Sequence, residues 1–198
     1  MDAQSLGQKR LFERTRYEKL HTGELRTKPN KKHYGVANNG SYAWPQLEQL
    51  SIKSLVDIGT GNGAFPRDAV ARKIPCVCGV DFANIPVGDG IRWVKAPAHK
   101  LPFTAGEFEW LTCFDMLEHL ITEEVDDVFT EFRRVVTHGW FFRISHRKSH
   151  TILETDLHLT IRPEAWWKNK LSKFGAVLEY PFKTIKNQNR KYLWMKFR

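Results

Sequence analysis

The sequence predicts a doubly wound α/β sheet, mostly parallel, with a C-terminal antiparallel hairpin pair of strands at one edge. Three observations carry this. Short apolar runs at 52–58, 76–80, 91–94, 108–114 and 140–144 are interleaved with helical stretches. A glycine-rich turn, Gly59-Thr60-Gly61-Asn62-Gly63, joins the first run to the first of those helices. An acid, Asp81, closes the second run, where a parallel sheet places the group that reads a ribose.

The 198 residues suit one domain with an appendage. Residues 1–50 read as a basic, partly helical extension that covers the ligand end of the sheet, and 51–198 as the domain. Hydrophobic residues make up 41% and aromatics 13%, which excludes wholesale disorder. No unbroken apolar run approaches the roughly 18 residues of a membrane span. The first residues, Met1 to Ser5, are polar and lack a secretory core. Three cysteines, at 76, 78 and 113, form no even-numbered framework. A cytoplasmic, reduced protein is expected.

The net charge of +9 is uneven: residues 1–35 carry +5, residues 162–198 carry +8, and the middle carries −4. Basic ends attract anions, nucleic acid included, or simply solubilise.

Along the chain, Leu11, Phe12, Tyr17 and Leu20 suggest one short amphipathic helix, followed by a loop with Gly23, Pro29 and Lys31-Lys32-His33. Asn38-Asn39-Gly40 marks a turn, and Trp44–Leu50 a helix with Pro45 in its first turn. Ile52–Ile58 reads as a strand buried on both faces, and Phe65–Arg72 as the helix after the glycine turn. Cys76–Val80, Ile91–Val94 and Phe108–Phe114 are the next strands. The stretch 81–90, with one Pro and two Gly, leaves little room for a helix between the first two of them. Thr122 is placed to cap a helix whose first turn holds Glu123 and Glu124, favourable at the positive dipole end. Val125, Val128, Phe129, Phe132, Val135 and Val136 recur at spacings of three and four, the clearest amphipathic pattern in the chain. Trp140–Ile144 is a fifth strand, and Pro163 opens a helix that Gly175 stops. Val177–Phe182 and Tyr192–Phe197, split by the polar turn 186–191, form the antiparallel pair.

Asp57-x-Gly59-x-Gly61-x-Gly63, with an acid 18 residues beyond Gly63, is a nucleotide-binding constellation. Glycines permit the sharp turn and the close approach of a ligand. Gly59-x-Gly61-x-x-Ala64 also satisfies a dinucleotide fingerprint, but the chain is short for a second, hydride-acceptor domain. Asp57 suits an ammonium-bearing ligand better than a pyrophosphate.

These residues resemble a known family. Val56–Gly63 is similar to the first motif of class I S-adenosylmethionine-dependent methyltransferases, which have a Rossmann-like fold. Gly79-Val80-Asp81-Phe82 resembles their ribose-binding acid and the apolar residue after it. Ala98-His99-Lys100-Leu101-Pro102-Phe103 resembles their adenine-edge loop, and Cys113–Leu120 the Leu-Glu-His motif after the fourth strand of one branch. Phe132-Arg133-Arg134-Val135 matches the helix before the fifth strand. The resemblance spans about residues 52–145 and implies S-adenosylmethionine as cofactor. It further implies that Asp57, Gly59, Thr60, Gly61 and Gly63 hold the methionine part. Asp81 would hold the ribose, with Phe82, Ala98 and His99 flanking adenine and Phe114 and Asp115 near the sulfonium. Relatives often carry an acid where Pro97 stands, so His99 or a backbone carbonyl must replace it at the adenine amino group.

Methyl transfer from a sulfonium needs positioning above all, and a base only where the nucleophile carries a proton. The candidate catalytic residues are His119, Asp115 and His158, all placed beyond strand ends; His146 also follows a strand end, and His138 and His150 read as structural. Asp115-x-x-Glu118-His119 offers two carboxylates and an imidazole at i, i+3 and i+4. It resembles the metal-binding motif of ubiquinone-pathway O-methyltransferases and of small-RNA 3′-terminal ribose methyltransferases, the latter adding a distal His such as His146 or His158. Many relatives carry the same motif without a metal, with Glu and His locking the loop, and no metal ligand is assigned. Residues 145–167 read as the acceptor wall, with Arg147 or Arg162 meeting an anionic group and Trp166 and Trp167 beside it.

The expected function is methyl transfer to an oxygen or nitrogen of a small polar acceptor, sugar- and nucleotide-linked molecules among the candidates. One rival is RNA or DNA methylation using the basic ends; the Asn/Asp-Pro-Pro-Tyr/Phe motif of base-amino methylation does not follow the fourth strand. The other is a protein that binds or degrades S-adenosylmethionine without methyl transfer.

Overall fold

The computed structural model describes residues 3–25, 40–83, 90–149, 156–179 and 190–196. Five strands run parallel: β1 (Ser54–Ile58), β2 (Cys76–Asp81), β3 (Arg92–Lys95), β4 (Phe108–Phe114) and β5 (Val136–Ser145). Two more, β6 (Ala176–Glu179) and β7 (Arg190–Lys196), complete the sheet, and β7 pairs antiparallel with both β5 and β6. The order is β3-β2-β1-β4-β5-β7-β6. The segment joining β6 to β7 lies outside the described residues, as do most of the polar turn 186–191, Pro29, Lys31-Lys32-His33, Asn38-Asn39, 84–89 and His150.

Strand side chains alternate between two covered faces. Leu55, Val77, Trp110 and Phe141 pack with Trp44 and Leu47 of α2 (Trp44–Leu47) and with Phe65 and Ala69 of α3 (Ala64–Ala71). Their neighbours Val56, Cys78, Leu111 and Phe142 pack with α4 (Val125–Val135) and α5 (Glu164–Ser172). Burial on both sides is why the strands read as continuous apolar runs rather than alternating ones. Phe129 alone stacks on Trp140 and Phe142 at 5.7 and 5.9 Å.

Three local expectations are corrected. Helix α1 (Ala3–Thr22) is 20 residues long, and its apolar residues do not share one face. Tyr17 and Leu20 are buried, whereas Leu11 and Phe12 are 65% and 63% exposed; five or six residues before Tyr17, they fall off its side of the helix. Thr122 does not cap α4. It lies inside a 3-10 turn (Thr122–Glu124) whose entry is made by Ile121, whose amide donates to Glu124 Oε2 at 3.3 Å, while the Thr122 hydroxyl meets that of Thr160. Val136 begins β5 instead of ending α4, because the chain passes from helix to strand without a loop. Among the described residues no helix is long and apolar enough to cross a membrane.

Candidate active site

The sheet order reverses between β1 and β4, and the carboxyl ends of such strands form the crevice where doubly wound folds bind ligands. The glycine turn leaves β1 at that point. Gly59, Gly61 and Gly63 have φ of +75°, +56° and +77°, a region that L side chains avoid. A Cβ on Gly59 would also meet Met116 Cγ at 2.5 Å. The Gly59 and Thr60 amides donate to the Val80 carbonyl at 2.8 and 3.0 Å, which fastens the turn to β2.

Asp81, at the end of β2, is buried and organises the turn. Its Oδ2 accepts the Gly61 amide at 3.0 Å and its Oδ1 the Ala83 amide at 2.9 Å. Asp57 lies beneath, also buried, accepting the Thr112 hydroxyl at 2.7 Å. Burial pushes its carboxyl up to about 7, with Thr112 pulling the other way and Asp81 adding to the rise.

Helix α1 lies over this end of the sheet. The Tyr17 ring packs against Phe82 at 5.7 Å and edge-on to His119 at 5.3 Å. Its hydroxyl meets His119 Nδ1 and donates to the Leu157 carbonyl. Arg10 pairs with Glu124, and Glu18 with Lys95. His21 feels the Asp81 charge, although burial still holds its pKa down. The sequence signal for α1 was a weak period, so Arg16 and Tyr17 were missed.

Of the residues expected at adenine, Phe82 faces Tyr17, Ala98 packs on the main core, and His99 lies 3.9 Å from Glu124. Burial and then Arg10 lower the His99 pKa. Of those expected at the sulfonium, Phe114 belongs to the core: its ring meets Phe65 edge-on at 4.8 Å, and a Cβ on Gly40 would lie 2.3 Å from it. Asp115, expected near the sulfonium and among the catalytic candidates, is paired with Arg143. Arg143 Nε and Nη2 donate to its Oδ1 and Oδ2 at 2.8 and 2.5 Å, a fork that engages both oxygens. Arg143 was readable as an anomaly, a cation inside Trp140-Phe141-Phe142-Arg143-Ile144.

His119 and His158 do come together, edge to face at 4.6 Å. His119 Nδ1 donates to the Leu157 carbonyl at 2.8 Å, and His158 Nδ1 donates to that of Arg147. A carbonyl accepts only from N–H, so His158 carries a proton on Nδ1, while the His119 ring is hydrogen-bonded to two backbone carbonyls, those of Leu157 and Asp115. Burial, then the neighbouring His158, pushes His119 down to about 3, so it stays neutral. Glu118 is fully buried; its Oε1 accepts the Ser145 amide and its Oε2 has no hydrogen-bond partner. Burial and the nearby Asp115 raise its pKa well above the usual carboxylate range. Ligand atoms of Glu118, His119 and His158 lie within 4.8 Å of one another. That set differs from Asp115, Glu118 and His119, because Arg143 has taken Asp115.

Of the two tryptophans placed at the acceptor wall, Trp167 is a core residue and Trp166 only partly buried. Trp167 is fully buried against Phe129, and Trp166 packs at the edge of the same core with Arg162 and Lys170 over its ring. His146 turns its Nδ1 to the Arg162 carbonyl, away from His119 and His158.

Comparison with known proteins gives this geometry relatives. Residues 56–144 match the family model described as a methyltransferase domain. No curated protein matches the sequence. A Pyrococcus horikoshii protein superposes with TM-score 0.61 at 13% identity, over 83% of this chain and 93% of its own. Burkholderia thailandensis 1,6-didemethyltoxoflavin-N1-methyltransferase, bound to its substrate and S-adenosylhomocysteine, gives 0.61 at 14%, over 96% of this chain and 88% of its own. Synechocystis magnesium protoporphyrin IX methyltransferase with bound S-adenosylhomocysteine gives 0.58 at 14%, over 79% of each chain. With the glycine turn, the Asp81 ligation and the sheet order all in place, residues 56–144 match a methyltransferase domain and the chain shares the fold of these two solved methyltransferases.

Proposed function

We propose that the protein transfers a methyl group from S-adenosylmethionine to an oxygen or nitrogen of a small polar acceptor, sugar- and nucleotide-linked molecules being among those to test. One observation carries the donor half: buried Asp81 holds the Gly61 and Ala83 amides beside the turn that leaves β1, and Asp57 is buried at the end of β1 itself. Asp81 would take the ribose hydroxyls and Asp57 the ammonium. The nucleophile's lone pair would form the new bond to the methyl carbon as the carbon–sulfur bond breaks, releasing S-adenosylhomocysteine. Its proton would pass to His158 Nε2, which the Arg147 carbonyl orients through Nδ1. His119, held neutral by burial, is the poorer proton acceptor of the two. Asp115 fixes the loop through Arg143. Calorimetry with S-adenosylhomocysteine tests the donor half: the wild type binds, and Asp81→Ala weakens binding by about 100-fold or more, the scale of two charged hydrogen bonds. Equal affinity in the variant would refute the assignment. Product analysis separates methyl transfer, which releases S-adenosylhomocysteine, from binding or breakdown of the donor alone.

Glu118, His119 and His158 would hold a divalent ion if one bound, as a Lewis acid polarising the acceptor oxygen. The reading preferred is a loop lock without metal. The Glu118 side chain takes the Ser145 amide, and its carbonyl takes those of Leu159 and Thr160 at 2.9 and 3.0 Å. Dialysis against a chelator is then expected to change the initial rate by less than about twofold. A deep loss restored by Mn²⁺ or Mg²⁺ would assign the ion instead.

A nucleic-acid acceptor gripped by the basic ends is the rival proposal. It requires binding that falls steeply with salt.

A further inference from the structure

Arg16 of α1 is a buried cation whose hydrogen-bonding groups are left over. The residue is 8% exposed, and its Nε and Nη2 are buried without a hydrogen-bond partner. These two nitrogens form one edge of the guanidinium, the fork that matches two oxygens of a carboxylate or phosphate. The ion-pair partner of Arg16 among the described residues is Glu13, one turn back on the same helix. Glu13 Oε2 lies 2.5 Å from Nη2 in a poorly aligned ion pair, and Nε is left with no hydrogen-bond partner. Burial raises the Glu13 pKa, which weakens its hold on the cation. The guanidinium lies about the rings of Phe12 and Tyr17, at 6.0 and 5.9 Å from their centroids. Leaving such donors unfilled in a buried setting is costly, and the groups that do so in native structures call for a partner.

Position says which partner. Tyr17, the next residue, contacts His119, which contacts His158. Arg16 therefore stands on the side of the pocket where the acceptor would be worked on, and its charge is among the influences that depress His119. The donor's own groups already have candidate holders in Asp57, Asp81 and the glycine turn. Of the residues expected to meet an anion, Arg162 lies over the Trp166 ring.

We infer that Arg16 is the specificity residue for an anionic acceptor, its Nε/Nη2 edge taking a carboxylate or phosphate group of the substrate beside His119. This rests on the methyltransferase reading. The anion takes the place of Glu13 on Nη2 and engages Nε as well, giving two charge-assisted hydrogen bonds.

The test uses the full chain saturated with S-adenosylhomocysteine and labelled at arginine Nε. Arg16 is assigned by the signal missing from Arg16→Lys. Titration with acetate and with inorganic phosphate, at ionic strength fixed with chloride, is expected to shift that signal saturably with a Kd of a few mM, on the order of one bidentate contact. Acetamide shifts nothing. Thermal stabilisation by the preferred anion is lost in both Arg16→Gln and Arg16→Lys, because lysine keeps the charge but not the fork. Whichever anion saturates lower names the class. S-adenosylhomocysteine affinity in Arg16→Gln stays within about threefold of wild type. A loss of tenfold or more (~1.4 kcal/mol) would hand Arg16 to the donor carboxylate and overturn the proposal. A chain that binds S-adenosylhomocysteine but shows no anion effect up to about 50 mM overturns the Arg16 assignment alone. A wild type that binds no S-adenosylhomocysteine overturns both readings.

Discussion

Affinity for S-adenosylhomocysteine is expected to rise by about tenfold per pH unit from pH 5 toward 7 and then to level off, with Asp57→Asn removing the slope. Asp57 is buried under the glycine turn and its pKa is raised from 3.8 to about 7, chiefly by burial. If the ionised carboxylate is what receives the donor ammonium, binding below pH 7 must expel one proton, which gives the unit slope. The ligand ammonium stays charged across this window. Stability without ligand moves the opposite way. A folded-state pKa above the unfolded one means that the native state binds more protons between the two values. The stabilisation is therefore complete below about pH 4 and is lost as pH rises to about 7. Asp57→Asn, which cannot ionise, is expected to be more stable than the unliganded wild type at pH 7.5 and to lose that advantage near pH 4. Thermal melts at the two pH values check this, and calorimetry from pH 5 to 8 checks the affinity. A flat affinity profile in the wild type would mean that Asp57 does not hold the ammonium.

The glycine turn and its acid were legible because they are local. Gly59, Gly61 and Gly63 are needed for their backbone angles, and Asp81 follows from strand spacing, so a single stretch of sequence carries both. What was not legible depends on contacts between distant segments. Asp115 looks catalytic until Arg143, 28 residues on, is seen to grip it. Phe114 looks like a pocket residue until Phe65 and the close passage of Gly40 enclose its ring. Trp166 and Trp167 have the composition of a recognition wall, yet the core under α4 needed their volume. Tyr17 was placed on a helix, but nothing in its neighbours announces that it reaches His119, 102 residues away. His119 and His158 were chosen for proximity to strand ends. Their shared orientation comes from two backbone carbonyls, which no residue pattern displays.

Arg143→Ala is expected to destabilise the protein by about 3–5 kcal/mol, the cost of leaving a buried carboxylate without its cation. For a chain of this size that lowers Tm by about 10 °C or more. Arg143 is 3% exposed, and the side chain of Asp115 12%. Asp115 also has φ of +52°, an uncommon conformation held by its amide bond to the Arg143 carbonyl at 2.8 Å as well as by the fork. The adjacent Glu118 amplifies the loss, because Arg143 is among the groups that favour its charged form while Asp115 opposes it. Without the guanidinium, two buried acids face each other and protonation is the relief. The defect in Arg143→Ala should then ease as pH falls, the reverse of ordinary acid denaturation. Removing both charges, Asp115→Asn with Arg143→Met, leaves no uncompensated ion and should recover most of the loss, so the two changes are strongly non-additive. The double variant also separates anchor from base. With Asp115 as anchor, it keeps S-adenosylhomocysteine affinity and, below its melting range, turnover within about tenfold of wild type. With Asp115 as the proton acceptor, turnover falls by at least the 100-fold typical of a lost general base while the fold stays intact.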